Sequence, residues 1–182
     1  MDICILPRIT AFFTFFIENQ RFLEKLPLAG PHNFYRGGNL SVYDSEVKQS
    51  LEQLKRIIDS DKIVDLWGAA IQTYWNKKPV WLHGDLSAGN IILRNNTLVA
   101  IIDFGCMAIG DPACDLVIAW NFLDKKSREL FKAHLNLDSD TWLRAKGWAL
   151  WKALITLASL KDKSSPEAIR QKLVIEIILH EQ

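Results

Sequence analysis

The sequence predicts an α+β chain, mostly helical, with one small β-hairpin near its centre. Three observations carry this. Apolar residues recur at helical spacing over both ends of the chain, as in Val47, Leu51, Leu54 and Ile58. Between Pro79 and Ile102 the pattern changes to short β-rich runs, Val80-Trp81-Leu82, Asn90 to Leu93 and Leu98 to Ile102. The chain has 182 residues, 49% hydrophobic and 24% charged, which is enough apolar surface for a sizeable core without a disulfide or metal staple. No repeat, low-complexity tract or long linker divides it, so residues 1–182 are expected to form a single domain.

The elements follow in order. A first helix is expected over about 8–22, with Phe12, Phe16 and Leu23 as its core-facing stripe. The run Ile9 to Ile17 is apolar but too short to cross a bilayer. A loop rich in Gly and Pro follows, including PHNFYRGG at 31–38, which reads as surface structure. An amphipathic helix is expected over about 44–59 with Asp44 as its cap. Another is expected over about 61–76, burying Val64, Trp67, Ile71 and Trp75. The two β-rich runs after Pro79 are joined by Arg94-Asn95-Asn96-Thr97, a hairpin signal. Beyond Gly105 the chain is expected to be irregular until Asp111 and Pro112, as N-cap and first residue, open a helix to about Phe122. Further helices are expected over about 125–136, 140–160 and 166–180. Trp148 and Trp151, one turn apart, are core residues first.

Composition excludes some functions. Lys plus Arg is 22 and Asp plus Glu is 21, and the charges do not segregate along the chain. This gives no bulk attraction to nucleic acid or an anionic membrane, and neither is expected as a partner. Three cysteines, Cys4, Cys106 and Cys114, without pair-like spacing fit a reducing compartment, so the expected location is cytoplasmic.

Polar chemistry concentrates in HGDLSAGN at 83–90, IDFG ending at 105, and GDPACD ending at 115. A tight hairpin doubles back on itself, so Asp103 returns beside Asn90. One carboxylate and one amide oxygen then stand together, a hard-oxygen pair suited to Mg²⁺ carrying a nucleotide's phosphates. Asp85 remains as a second carboxylate, able to accept a proton from an attacking hydroxyl. Other readings are weaker. His83, Asp85 and the distant His134 spell a two-His-one-carboxylate iron set, but such sites are usually built on β-sandwiches and His134 falls in a helical half. Ser87 near His83 lacks the G-x-S-x-G elbow of a hydrolase. Cys106 is more often a small apolar filler than a reactive thiol.

The block His83-Gly84-Asp85-Leu86-Ser87-Ala88-Gly89-Asn90, followed by Asp103-Phe104-Gly105 and by Gly110-Asp111-Pro112 with Asp115, resembles the aminoglycoside phosphotransferase family, the small-molecule branch of the kinase-like fold. The resemblance implies the C-terminal lobe of such a transferase, with Asp85 as catalytic base and Asn90 and Asp103 as Mg²⁺ ligands and nucleotide-binding residues. It implies that His83 braces the catalytic loop, Asp115 hydrogen-bonds loop backbone and Asp111 supports its helix. The implied reaction is transfer of the γ-phosphate of ATP or GTP to a hydroxyl of a small molecule, aminoglycoside-like or other. These kinases also use an N-terminal lobe of roughly 70 residues. The 82 residues before His83 are occupied by helices and loops, and contain neither G-x-G-x-x-G nor a V-A-x-K-like strand. The expectation is therefore a truncated lobe, inactive alone and completed by a separate N-lobe polypeptide, or else a non-catalytic remnant or small-molecule-binding module.

Overall fold

The protein is described here by a computed structural model covering residues 6–18 and 27–181. Its helices are α1 (Leu6–Glu18), α2 (Asp44–Leu54), α3 (Ser60–Ile71), α4 (Ile118–Asn121), α5 (Lys125–Leu135), α6 (Ser139–Ser159) and α7 (Pro166–His180). The strands are β1 (Val80–Leu82), β2 (Ile91–Arg94), β3 (Thr97–Ile101) and β4 (Ala108–Gly110). Among the described residues this is a mostly helical α+β fold, as the periodicity predicts.

The core is organised around α6. Trp142, Ala145, Trp148, Leu150, Trp151, Leu154 and Leu157 are all buried, so the helix is apolar on nearly every side, as a central helix must be. It packs against α2, α3, α7 and the turn at Pro112–Cys114. Gly147 allows the close crossing with α3: a Cβ there would lie 3.0 Å from the Cβ of Ala70 and still closer to Leu40. Side-chain caps define the surrounding helices. Asp124, Asp138 and Ser165 accept backbone N–H groups of Ser127, Thr141 and Ala168, and Pro166 fills the first position of α7.

β2 and β3 form the expected hairpin, with Ile91 opposite Ile101 and a register shift between Ile92 and Leu93. Its turn is Asn95-Asn96, both in the left-handed region with φ of 50° and 56°, where Asn is well tolerated. β1 pairs instead with β4, Trp81 opposite Ile109. Residues 27–29 join that ribbon through Ala29 N–H to Ile109 O and Ile109 N–H to Pro27 O.

Several expectations are corrected. In α1 the buried stripe is Leu6, Ile9, Thr10 and Phe13, with Phe13 edge-on to Phe131 of α5 at 5.1 Å. Phe12 and Phe16 are half-buried, and Leu23 and Cys4 lie outside the described residues. α2 stops at Leu54, and Asp44 is its first residue rather than its cap, accepting Trp67 Nε1–H at 2.9 Å. α3 is capped by Asp59 and buries Ile63, Trp67 and Ala70, so its apolar face is turned one residue from the expected one and Val64 is exposed. Trp75 falls beyond the helix. The stretch 106–110, expected to be irregular, contains β4. Asp111 and Pro112 open only a single 3-10 turn, Pro112–Cys114, before the short α4. No helix among the described residues is long and apolar enough to cross a membrane.

Candidate functional site

The polar residues singled out in the sequence meet where β1 ends and the hairpin begins. β1 delivers His83 into the core, fully buried. Its Nε2 lies 2.8 Å from Ile102 O, which can only accept, so Nε2 carries the proton. Nδ1 is thereby left to accept Asp85 N–H at 3.2 Å. The ring also packs on Phe104 at 4.6 Å between centroids. One imidazole thus ties the loop at Asp85 to the end of β3.

Asp115, 4% exposed, closes the same loop from below. Its two oxygens accept His83 N–H at 2.5 Å and Gly84 N–H at 2.9 Å. Burial pushes its carboxyl up, while His83 and the loop N–H groups pull it down. Gly84 takes φ +82°, and a Cβ there would sit 2.1 Å from Cys106 O, so only glycine fits. Asp111 lies apart from this cluster. It accepts Ala113 N–H at 3.0 Å and pairs with Arg144 Nε of α6 at 2.6 Å, with both side chains almost wholly buried.

The hairpin sets Asn90 and Asp103 at one end. Ile102 N–H donates to Asn90 O at 3.0 Å, so the residue before Asp103 is directly paired with Asn90. Asn90 Nδ2 donates to Asp85 O at 2.9 Å, and its amide oxygen has no partner among the described residues. Asp103 is exposed, in the left-handed region at φ 64°, and its side chain caps no backbone group. An amide oxygen and a free carboxylate at one hairpin end are hard donors, chemically suited to Mg²⁺ that keeps its remaining positions for water and phosphate. No cluster of three or more His, Cys, Asp or Glu able to hold a metal exists among the described residues. His83 is spent on Ile102 O and Asp85 N–H, and His134 lies on α5, which leaves the iron reading without support. The Cys106 thiol is pushed up by burial and by the nearby Asp85, which disfavours a reactive thiolate.

Asp85 is half-buried, and its Oδ1 carries contacts that the sequence reading missed. Lys152 Nζ of α6 lies 2.5 Å away and Arg36 Nη1 lies 3.7 Å away. Oδ2 has no hydrogen bond among the described residues and is free to accept a proton from a hydroxyl. Arg36 belongs to the loop read as surface structure, and that loop is anchored. Asn33, fully buried, donates through Nδ2 to Arg36 O at 2.9 Å and to Cys106 O at 3.2 Å. The guanidinium lies 4.7 Å over the Trp151 ring.

A family model described as APH, phosphotransferase enzyme family, matches residues 16–148. No curated protein matches the chain. Among solved structures, the chain is similar to that of the GDP and kanamycin complex of APH(2")-IIia, with a TM-score of 0.62 and 19% identity over 98% of this chain and 63% of that one. It is similar also to the streptomycin-ATP-APH(2")-IIa ternary complex, with a TM-score of 0.51 and 15% identity over 98% of this chain and 62% of that one. At these identities the likeness is one of fold, and the chain spans just over three fifths of those proteins' lengths.

Proposed function

The chain belongs to the phosphotransferase enzyme family, and from that premise we propose that it carries the catalytic half of a kinase that moves a nucleotide γ-phosphate to a hydroxyl of a small molecule. The observation that carries this reading is the junction at Asn90: its backbone oxygen binds Ile102 N–H and its side-chain amide binds Asp85 O, so base, amide and Asp103 share one loop end.

In this reading Asp85 Oδ2 accepts the acceptor's hydroxyl proton as the oxygen attacks phosphorus. Asp115 and His83 hold the loop so that the carboxylate is presented without further ordering. Asn90 Oδ1 and Asp103 would hold Mg²⁺, which when bound neutralises charge on the transferring phosphoryl group. ATP or GTP is the donor, consistent with the nucleotides in the solved relatives. The nucleotide's adenine or guanine and its α- and β-phosphates are gripped by an N-terminal lobe in such kinases. A separately expressed N-lobe is therefore part of the test.

Transfer of labelled γ-phosphate from ATP and GTP to a panel of aminoglycosides, macrolides and small alcohols is measured for the chain alone and with an N-lobe from a related kinase. The expected result is transfer in the completed protein that is lost in Asp85→Ala and in Asp103→Ala. Transfer that persists in Asp85→Ala would overturn the assigned role. A completed protein that binds Mg²⁺-nucleotide yet transfers to no hydroxyl would support the second reading, a binding module of this lineage.

A further inference from the structure

We propose that the acceptor taken by this site is an anionic alcohol, a small molecule bearing a carboxylate or phosphate near the reacting hydroxyl, and that Lys152 and Arg36 select it. The inference rests on the phosphotransfer reading above and deepens it.

The geometry divides the surroundings of Asp85 into two sides. The hairpin end with Asn90 and Asp103 supplies hard oxygens for the donor's metal. In-line transfer puts the attacking hydroxyl opposite the leaving nucleotide. The other side of Asp85 is built by α6 and the 31–39 loop, and what these present is positive charge. Lys152 Nζ and Arg36 Nη1 both face Oδ1, at 2.5 and 3.7 Å. Glu46, the carboxylate that reaches the same wall, accepts Trp151 Nε1–H at 2.8 Å and keeps its charge, but among the described residues it makes no ion pair with Arg36 or Lys152, whose partner is Asp85. Two cations therefore stand against one catalytic carboxylate.

The cations retain donors for a ligand. An ammonium has three N–H groups and a guanidinium five. Lys152 is 38% and Asp85 34% exposed, so a solute reaches both. Arg36 is more enclosed; Asn33 fixes its backbone carbonyl and the Trp151 ring holds its guanidinium, so its fork is pre-organised. Its Nε is buried without a partner among the described residues, as are Trp148 Nε1 and Asn121 Oδ1. Arg36, Trp148 and Asn121 line, together with Asp85 and Lys152 themselves, a cavity of about 10 Å³, room for a water at most. The acceptor therefore approaches from outside this cavity, over the exposed part of the Lys152 side chain. A carboxylate or phosphate there makes charge-assisted hydrogen bonds to both cations, while its neighbouring hydroxyl meets the free Oδ2. A polycation meets like charge at the same place.

Binding to the full chain is read by tryptophan fluorescence or calorimetry, without nucleotide. The probes are glycerol, D-glycerate, glycerol 3-phosphate and kanamycin, which separate neutral, carboxylate, phosphate and polycationic chemistry. The expected result is that at least one anionic probe binds about tenfold or more tightly than glycerol. That preference falls with salt and is largely lost in Lys152→Met and in Arg36→Gln, with kanamycin no better than glycerol. Lys55→Met, a change at an exposed lysine that pairs with Glu52 and does not line the site, leaves it unchanged. Lys152→Gln provides a second variant, and near-ultraviolet circular dichroism verifies that each is folded. Kanamycin as the tightest probe, anions no tighter than glycerol, no detectable anion binding, or anion binding indifferent to both Lys152 and Arg36 would each overturn the proposal. Anion selectivity without phosphate transfer in the completed protein would count against the phosphotransfer reading alone. Transfer to cationic alcohols without anion selectivity would count against this one alone.

Discussion

Asp115 accepts the backbone N–H of His83 at 2.5 Å, and its second oxygen takes Gly84 N–H at 2.9 Å, so one buried carboxylate after the Pro112–Cys114 turn sets the first bend of the loop at 83–90. Asp115→Ala leaves both N–H groups unsatisfied in the core. The expected cost is about 1–3 kcal/mol for each, which for a chain of this size lowers Tm by about 2–4 °C per kcal/mol. Asp115→Asn brings little rescue, because its NH₂ must face one of the two donors. Thermal unfolding monitored by circular dichroism checks this, and a variant melting with wild type would show that the loop is held by other contacts.

Two glycines give opposite expectations for the same substitution. Gly84→Ala places a Cβ 2.1 Å from Cys106 O at φ +82°, so the loop must move, and a stability loss above about 1–2 kcal/mol is expected. Gly68→Ala on α3 meets nothing within 4 Å and should stabilise the protein by about 0.5–1 kcal/mol. Chemical denaturation of both variants tests the pair, and equal effects in the same direction would contradict the argument.

What the sequence shows of this fold is what local rules determine. The helices at 125–135, 139–159 and 166–180 are marked by Asp124, Asp138 and Ser165 at their starts and by helical apolar spacing. The hairpin is marked by Asn95-Asn96, and the grouping of Asp85, Asn90 and Asp103 at its base follows from antiparallel pairing. Features set by distant packing were not legible. β4 has only three residues and no period to read, and it exists because Trp81 pairs with Ile109. Ile63 and Val64 are both apolar, and only contact with α6 decides that Ile63 faces inward. Arg36 stands in a loop that reads as surface structure and Lys152 in a helix, and nothing nearby in sequence signals a carboxylate 49 and 67 residues away.

The pair Asp111–Arg144 should behave as a unit. Both side chains are almost wholly buried, and Arg144 Nη2 also donates to Thr141 Oγ1 at 3.1 Å. Removing one partner leaves an uncompensated charge, so Asp111→Ala or Arg144→Met alone is expected to cost about 3–5 kcal/mol. The double variant should cost clearly less than the sum, because no charge is left stranded. A double-mutant cycle by urea unfolding measures the coupling, and additive losses would mean that the two residues act independently.

Glu181 gives the pH dependence with a definite sign. It accepts Trp120 Nε1–H at 2.9 Å and Arg128 Nε at 2.9 Å, with Lys146 at 3.3 Å and Lys132 at 3.6 Å from its carboxylate. Burial alone would raise its carboxyl, but the indole and the cations outweigh that and hold it below the usual 4.5. The unfolded chain therefore takes up this proton before the native one does as the pH falls. The stabilisation from Glu181 is complete above the ordinary carboxylate range and is lost as pH drops from about 5 through the lowered native value. Glu181→Gln removes it at every pH. Near pH 7 the wild type should exceed the variant by about 1–3 kcal/mol, since a charged hydrogen bond to the buried Arg128 is weakened. The gap should be smaller at about pH 3 than at pH 7, and it closes fully only below the lowered native value. Asp111 and Asp115, whose carboxyls burial pushes upward, titrate in both proteins and cancel in this difference. Urea unfolding of the two proteins at both pH values provides the measurement, and a gap that stays constant on acidification would mean that Glu181 is not ionised against its cationic neighbours.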